Sequence, residues 1–317
     1  MAAVPIWRDY TIQYDTTAEY LSYSVACDGD TIFTGRAYKR PGKTSVRFKI
    51  NDICAPYLFM DRLAFYDDDF EPSDTVKRVF NVTAASGEQI ALVEFYLDWS
   101  FETRDAITAG ASDPITNEVA QWQYVVASFY DTTNVQAIVK QGNATDKITL
   151  YSGAKKSGTG VIDLFNYTDA ESVSIGRYQY RVINGCFRHV LYYVNAFGGW
   201  DSLIIKGMAK EADSYKRSTY KQTYDNDSTV ARGTVNYQND YEKSFSLVTG
   251  WMADDDSLRM HHLLGSTNVY LHDLTTHNVY PVTIDDKSCE YKTYRNQGNR
   301  LVNYTLKITI AQDFVRR

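Results

Sequence analysis

The stretch LVNYTLKITI (residues 301–310) alternates between apolar and polar residues along its whole length. Successive side chains of an extended chain point to opposite faces of a sheet, so an alternation of this kind is typical of a half-buried strand. It predicts a strand of an antiparallel sheet that buries one face only. The buried face carries Val302, Tyr304, Leu306, Ile308 and Ile310, and the other face carries Asn303, Thr305, Lys307 and Thr309.

The same period of two recurs in SVRFKI (residues 45–50) and in many other short runs. Sequences typical of turns lie between the runs, such as Pro41-Gly42 and Ser86-Gly87. Many short strands at close spacing predict a mainly β fold of two or more antiparallel β-sandwich or barrel-like domains. The runs are 31–38, 121–129, 135–139, 147–151, 187–194, 202–205, 217–224, 245–248, 279–284 and 290–294.

Only two segments have the character of short helices. Asn51 to Leu58 has Asn51 as a candidate N-cap, with Ile53, Cys54 and Tyr57 facing inward. Asp254 to Leu264 has an acidic first turn, which suits the positive end of the helix dipole, and Gly265 follows where a C-terminal cap belongs. Its predicted buried side carries Leu258, His261 or His262, and Leu264.

The length of 317 residues fits two or three domains at roughly 100–200 residues each. The two best loop candidates are residues 108–118 and the Gly/Ser/Lys stretch 152–160. The second loop predicts a division into one or more N-terminal β domains (1–155) and a C-terminal β domain (156–317) with a short helix near 254–264.

Composition and charge exclude several classes. The net charge of −6 gives no bulk attraction to nucleic acid or to an anionic membrane. The N-terminus lacks a signal-peptide pattern and no window has about 18 uninterrupted apolar residues, so membrane insertion is not expected. The widely spaced cysteines predict free thiols in a protein that folds in a reducing cytoplasm. They are Cys27, Cys54, Cys186 and Cys289.

Motifs that carry chemistry are weak. The stretch GAKKSGT (153–159) has the glycine spacing of a phosphate-binding loop but lacks its Lys-Ser/Thr ending, which favours a hairpin loop. His261 and His262 are adjacent and cannot act as an i, i+4 metal pair, whereas His272 and His277 flank a turn and can meet across it.

Acidic and nucleophilic residues give no specific catalytic pattern either. The Asp runs 67–69 and 254–256 lack the spacing of a calcium loop, so solvated loops or helix starts account for them. Cys186 and His189 would face opposite sides of a strand, and no serine-hydrolase elbow is present. A glycosidase would need two carboxylates placed on opposite sides of a bond, and the sequence selects no such pair. We therefore expect no catalytic, cofactor-binding or metal-binding residues and no cofactor.

Four tryptophans are candidate sugar-stacking residues: Trp99, Trp122, Trp200 and Trp251. Three of them lie within strand-like runs, which favours a role in the core. Trp200 follows Gly198 and Gly199 in YYVNAFGGWDSL (192–203), where the glycines permit positive φ at a tight bend. This pattern predicts a hairpin corner with Trp200 as its packed anchor and Asp201 bonded to the turn backbone.

Several ordered blocks of the C-terminal half carry a family resemblance. They are LYYVNAFGGWDSL (191–203), KRSTYKQTY (216–224), and the blocks 246–274 and 279–317, with a weaker likeness at DGDTIFTGRAYKRPG (28–42). This series resembles the virion tail proteins of bacteriophages that infect gut Bacteroidales, including the crAss-like phages. The nearest likeness is to a tail-hub or ring component.

This resemblance implies a non-enzymatic structural protein of the virion tail, made in the host bacterial cytoplasm. Its partners would be further copies of itself in a ring and other tail proteins, with DNA passing through the assembly without specific binding. Hub, ring and distal-tail positions stay open. Two other classes also stay open: a carbohydrate-binding or host-adsorption module, and a tail-associated hydrolase.

Overall fold

A computed structural model describes residues 2–6, 8–59, 65, 68–97, 118–176, 178–223, 233–253, 258–286 and 301–311. The chain divides into two compact units. The first unit comprises Met1–Ile183 with Val194–Asp201, and the second comprises Asn184–Tyr193 with Ser202–Arg317.

The first unit contains a five-stranded sheet in which the chain segments alternate between buried and exposed residues. Its core includes Val25, Phe80, Val82, Val93 and Phe95, which are fully buried. With strands numbered in chain order, the sheet runs β1 (Ala2–Pro5), β8 (Gln89–Tyr96), β7 (Lys77–Ala84), β3 (Tyr20–Cys27) and β4 (Asp30–Tyr38). A two-stranded sheet joins β2 (Thr11–Asp15) to β5 (Ser45–Lys49).

The first unit also contains a six-stranded sheet dominated by a long hairpin. Its core includes Val135, Ala137, Val139, Ile162 and Ile175. The order is β6 (Asp69–Pro72), β11 (Ala144–Asp163), β10 (Tyr124–Gln141), β12 (Ser172–Ile175), β13 (Tyr178–Ile183) and β9 (Glu118–Ala120). Short 3-10 helices cover Ala55–Tyr57, Asp74–Val76 and Leu164–Asn166.

The second unit is built on a seven-stranded antiparallel sheet. Its core includes Leu191, Leu247, Met260, Leu263 and Ile308. The order is β15 (Trp200–Ile205), β14 (His189–Val194), β19 (Val269–Asp273), β20 (Asn278–Ile284), β22 (Thr305–Ile310), β17 (Thr234–Val248) and β16 (Ala209–Lys221). A two-stranded sheet pairs β18 (Met252–Ala253) with β21 (Leu301–Val302).

The mainly β fold class and its sandwich-like antiparallel sheets are confirmed. The stretch 301–310 forms β21 and β22 with a break at Asn303–Tyr304, and the predicted faces are correct. Val302, Leu306, Ile308 and Ile310 are buried and Tyr304 is half-buried. Among the described strands, β1 pairs with β8 and β9 pairs with β13 in parallel rather than antiparallel orientation.

The predicted loop at residues 152–160 is wrong. These residues continue β11, whose 20 residues pair with β10 through several register shifts. The runs 121–129 and 135–139 likewise fall largely within one strand, β10. The predicted boundary between residues 155 and 156 therefore lies inside a strand, and the two units divide the chain differently.

The first helix begins at the predicted residue but is capped differently. It covers Asn51–Cys54 (α1) and continues into a 3-10 turn, with Ile50 rather than Asn51 at the N-cap. The Asn51 side chain accepts a hydrogen bond from Tyr10 N and donates to the carbonyls of Ile6 and Arg8. Cys54 is buried as predicted, whereas Tyr57 is exposed.

The second helix, α2, covers Leu258–Leu264, and residues 254–257 lie outside the described residues. Gly265 follows it as predicted, and its N–H donates to the carbonyl of His261. The predicted buried side is wrong for the histidines, since His261 is exposed and His262 half-exposed. Met260 and Leu263 fill the core in their place.

Candidate interaction surface

The two histidines that flank the turn at 274–276 meet, as the sequence predicted they could. His272 Nε2 lies 3.2 Å from His277 Nδ1, and the Tyr192 hydroxyl lies 3.4 Å from His272 Nδ1. Burial lowers the pKa of His272 to about 3, and the neighbouring His277 adds to this effect. His272 therefore stays neutral and serves as part of a buried hydrogen-bonded chain.

No metal-binding cluster accompanies these histidines. Over the described ranges, no three His, Cys, Asp or Glu side chains are grouped closely enough to hold a metal ion. Asp68 accepts hydrogen bonds from Asp163 N and from the Tyr167 hydroxyl, so it ties two backbone segments together. Asp67 and the run 254–256 lie outside the described residues.

Three of the cysteines lie in the described part of the chain. Cys27 and Cys54 are buried and Cys186 is exposed, and all three are free thiols. Burial raises the pKa of the Cys54 thiol to about 12, which suppresses the reactive thiolate. His189 is buried and desolvation lowers its pKa, while Cys186 is at the surface. Cys289 lies outside the described residues.

The glycine-rich stretch 153–159 is a strand segment and not a phosphate-binding loop. Gly158 pairs with Pro72 of the adjacent strand β6. A Cβ at position 158 would collide with the carbonyl oxygen of Glu71 and lie 2.9 Å from the Cα of Pro72. The glycine is there because another backbone passes close to it.

A turn at residues 195–199 joins β14 to β15, as predicted, while Trp200 and Asp201 already begin β15. Asn195 Oδ1 accepts hydrogen bonds from Phe197 N and Gly199 N, and Asn195 N donates to the carbonyl of Gly199. Of the two glycines only Gly198 has a positive φ, +90°. Trp200 is 5% exposed, which removes it as a sugar-stacking residue.

The other tryptophans are not all in the core, as their positions in strand-like runs had predicted. Trp122 was expected in the core but is 37% exposed, and Trp251 is 67% exposed. Trp99 lies outside the described residues. Within the described part of the chain, the tryptophans at the surface are therefore Trp122 and Trp251.

The hairpin formed by β16 and β17 is long and mostly exposed. The last pair between β17 and β22 is Ser244 with Thr309. Beyond it, residues 214–221 of β16 pair only with 234–242 of β17 among the described strands. We call this two-stranded segment the arm. Two-stranded ribbons are marginally stable by themselves in water, which makes the arm a candidate contact surface.

The arm carries two tyrosine pairs. The rings of Tyr215 and Tyr241 are 5.2 Å apart, and the Tyr241 hydroxyl donates to Asp213 at 2.8 Å. Farther out, the rings of Tyr220 and Tyr237 are 6.2 Å apart, and Tyr237 is 66% exposed. Large exposed tyrosines supply contact area at low cost in side-chain entropy.

A register shift between Ser218 and Thr219 places the two pairs on opposite faces of the arm. The extra residue there is on β17, since Gln238 and Asn236 pair with consecutive residues of β16. On β16, which has no extra residue, Tyr215 and Tyr220 are five positions apart. Side chains at an odd separation in a strand point to opposite faces. The arm therefore presents an aromatic pair on each side.

The sequence predicted part of the arm. The tyrosine-rich basic segment 216–224 and its β character were visible, but its partner strand was predicted only at 245–248. Residues 234–244 alternate weakly and carry few aliphatic residues, so periodicity alone did not extend the strand. Only the pairing of β16 with β17 in the structure identifies the arm.

No helix in the described residues is long and apolar enough to cross a membrane. In comparisons with known proteins, no family model, no curated protein and no solved structure matches this chain.

Proposed function

We propose that this chain is a non-enzymatic structural protein of a virion, a subunit of an oligomeric ring or hub in a bacteriophage tail. The observation that carries the proposal is the arm, with a tyrosine pair on each face in which Tyr215, Tyr220 and Tyr237 are exposed and Tyr241 is half-buried. The partner that it contacts is a neighbouring copy of the same chain. Other tail proteins would join the assembled ring, and DNA would pass through it without specific binding.

The size of the arm supports a contact of this kind. Eight residue pairs at ~3.3 Å per residue give a length of roughly 26 Å, and a ribbon ~10 Å across then has a lateral surface of roughly 800 Å². A stable protein–protein interface buries about 800 Å² on each partner. An arm that inserts fully into a neighbour therefore supplies one side of a standard interface.

Aromatic side chains on both faces favour insertion over simple stacking. A partner that covered only one face would leave either Tyr215 with Tyr241 or Tyr220 with Tyr237 in water. An arm that enters a different surface of the next copy makes a heterologous contact, and such contacts close into rings when the rotation between copies permits.

The test is the mass of the recombinant protein by native mass spectrometry, with the purified virion analysed for the same chain. We expect a closed oligomer that the double substitution Tyr220→Ser, Tyr237→Ser converts to monomers that remain folded. The control is Tyr38→Ser on β4, since Tyr38 is equally exposed but lies far along the sequence from the arm. A wild-type protein that stays monomeric and is absent from virions contradicts the proposal.

A second candidate function, carbohydrate binding, is favoured by one observation. Trp122 and Phe165 form an exposed aromatic pair with ring centroids 5.5 Å apart. Proteins that bind sugars through aromatic stacking need an exposed aromatic surface. The buried Trp200 does not provide one.

A further inference from the structure

The backbone holds Trp122 in a conformation that tryptophan rarely adopts. Trp122 lies in the turn between β9 and β10, in which Gln123 N donates to the carbonyl of Ala120 at 3.4 Å. Its φ is +73°, a region that favours glycine and is uncommon for large side chains. Residues held in such a conformation concentrate at binding and catalytic sites.

The turn is fixed to the 3-10 helix Leu164–Asn166. Leu164 N donates to the carbonyl of Gln123 at 3.0 Å. The buried side-chain amide of Gln121 donates to the carbonyl of Tyr167 at 2.6 Å and to that of Leu164 at 3.4 Å. The helix start is also capped, since Asp163 accepts a hydrogen bond from Phe165 N. Both aromatic residues thus stand on a preorganised framework, which lowers the entropic cost of binding a ligand.

The two rings form a corner at the surface. Their planes meet at 61°, and Trp122 is 37% and Phe165 52% exposed. One ring of such a corner can lie flat against a ligand while the other contacts its edge. Asn166, also exposed, places an amide group next to Phe165 in the chain.

The chemistry of the corner is neutral. Residues 120–123 are Ala-Gln-Trp-Gln and residues 164–167 are Leu-Phe-Asn-Tyr, with no acidic or basic side chain among them. Burial and the hydrogen bond to Asp68 raise the pKa of Tyr167, so it too is uncharged. The carboxylate of Asp163 is 3% exposed and is used in capping. This set suits an uncharged ligand with apolar C–H faces and hydroxyl groups.

We propose that Trp122 and Phe165 form a binding site for a neutral saccharide, in which the indole stacks on the C–H face of a pyranose ring and Phe165 contacts its edge. The amide of Asn166 hydrogen-bonds a ring hydroxyl. The site belongs to the first unit and does not depend on assembly through the arm, so a monomeric protein binds equally well.

The experiment records the tryptophan indole N–H signals by NMR during titration of the full chain with neutral probes. The probes are cellohexaose, laminarihexaose and mannohexaose, and hexagalacturonate is the acidic counterpart. We expect a neutral hexasaccharide to shift the Trp122 signal, which the Trp122→Phe variant assigns, and hexagalacturonate to bind more weakly. Trp122→Ala is expected to weaken binding by about tenfold or more, equivalent to about 1.4 kcal/mol or more.

Two variants serve as comparisons. Phe165→Ala should also weaken binding, whereas Trp251→Ala, which removes an exposed tryptophan elsewhere, should leave it unchanged. The proposal is overturned if none of the neutral probes binds, if Trp122→Ala binds as tightly as the wild type, or if hexagalacturonate is preferred. A corner that captures only a protein partner, with no response to saccharides, overturns it as well.

Discussion

The carbonyl oxygen of Glu71 occupies the space in which a side chain at Gly158 would lie. β6 approaches β11 at this point through the pairs Gly158 with Pro72 and Thr159 with Glu71. The glycine is therefore required by the backbone of Glu71, which is distant in sequence, and not by its own sequence neighbours.

Replacement of Gly158 by alanine should destabilise the first unit by about 2–4 kcal/mol, because a collision with backbone cannot be relieved by a side-chain rotation. Chemical denaturation measures the loss. Gly153→Ala is the matched control, since it lies in the same strand and its Cβ would meet only the Tyr151 side chain, at 3.2 Å from the hydroxyl oxygen. Equal stability of the two variants would contradict the conclusion that the backbone of Glu71 excludes a side chain at position 158.

Gly198 combines two constraints that can be separated. Its φ is +90°, and a Cβ there would lie 2.8 Å from Leu97 Cδ1. Gly87 has nearly the same φ, +85°, but a Cβ there meets nothing within 4 Å. We expect Gly87→Ala to cost about 1 kcal/mol from backbone strain, and Gly198→Ala to cost about 2–3 kcal/mol. Thermal unfolding of both variants gives the comparison, and a smaller loss at Gly198 would refute it.

Acidification should weaken the second unit through His272. The folded pKa of about 3 lies below the ordinary value of 6.5, so the unfolded chain binds a proton more readily than the folded one. The stability is fully present above pH 6.5 and falls as the pH is lowered toward 3. Between pH 6.5 and pH 4.5 the free energy of unfolding should drop by about 2–3 kcal/mol.

The measurement is denaturant unfolding across this pH range for the wild type and for His272→Gln. The variant should show a flatter profile, although His189, whose pKa is also lowered by burial, keeps part of the slope. His277 and Asp273 act on His272 in opposite directions, His277 lowering and Asp273 raising its pKa. An unchanged slope in His272→Gln would show that another group causes the acid sensitivity.

The positive φ of Trp122 gives an unusual order of variant stabilities. Glycine adopts this backbone freely, so Trp122→Gly should be more stable than Trp122→Ala by about 1 kcal/mol. Trp251 lies outside the residues with positive φ, so there the alanine variant should be the more stable. Differential scanning calorimetry of the four proteins tests both orders, and a less stable glycine variant at position 122 would argue against backbone strain.

Short-range patterns account for the parts of the molecule that the sequence predicted. The alternation in 301–310 placed Leu306, Ile308 and Ile310 on the buried face, because the two-residue period of a strand is set by local backbone geometry. Asn195 and the two glycines predicted the turn at 195–199, because turn formation also depends on local backbone geometry. The two short helices were located, while their caps and buried sides were partly wrong.

The sequence by itself determined a mainly β chain, the faces of its strands and the corner at Asn195, since each depends on residues that are near neighbours. Tertiary structure alone decided that residues 153–159 continue a strand, that Trp122 is exposed, and that the tyrosines of β16 and β17 lie on an arm to which no third strand pairs among the described residues. The physical reason is that exposure and pairing depend on which distant segment passes beside a residue. Gly158 is compatible with a loop from its neighbours in sequence, but its pairing with Phe129 of β10 and with Pro72 of β6 makes it part of a sheet.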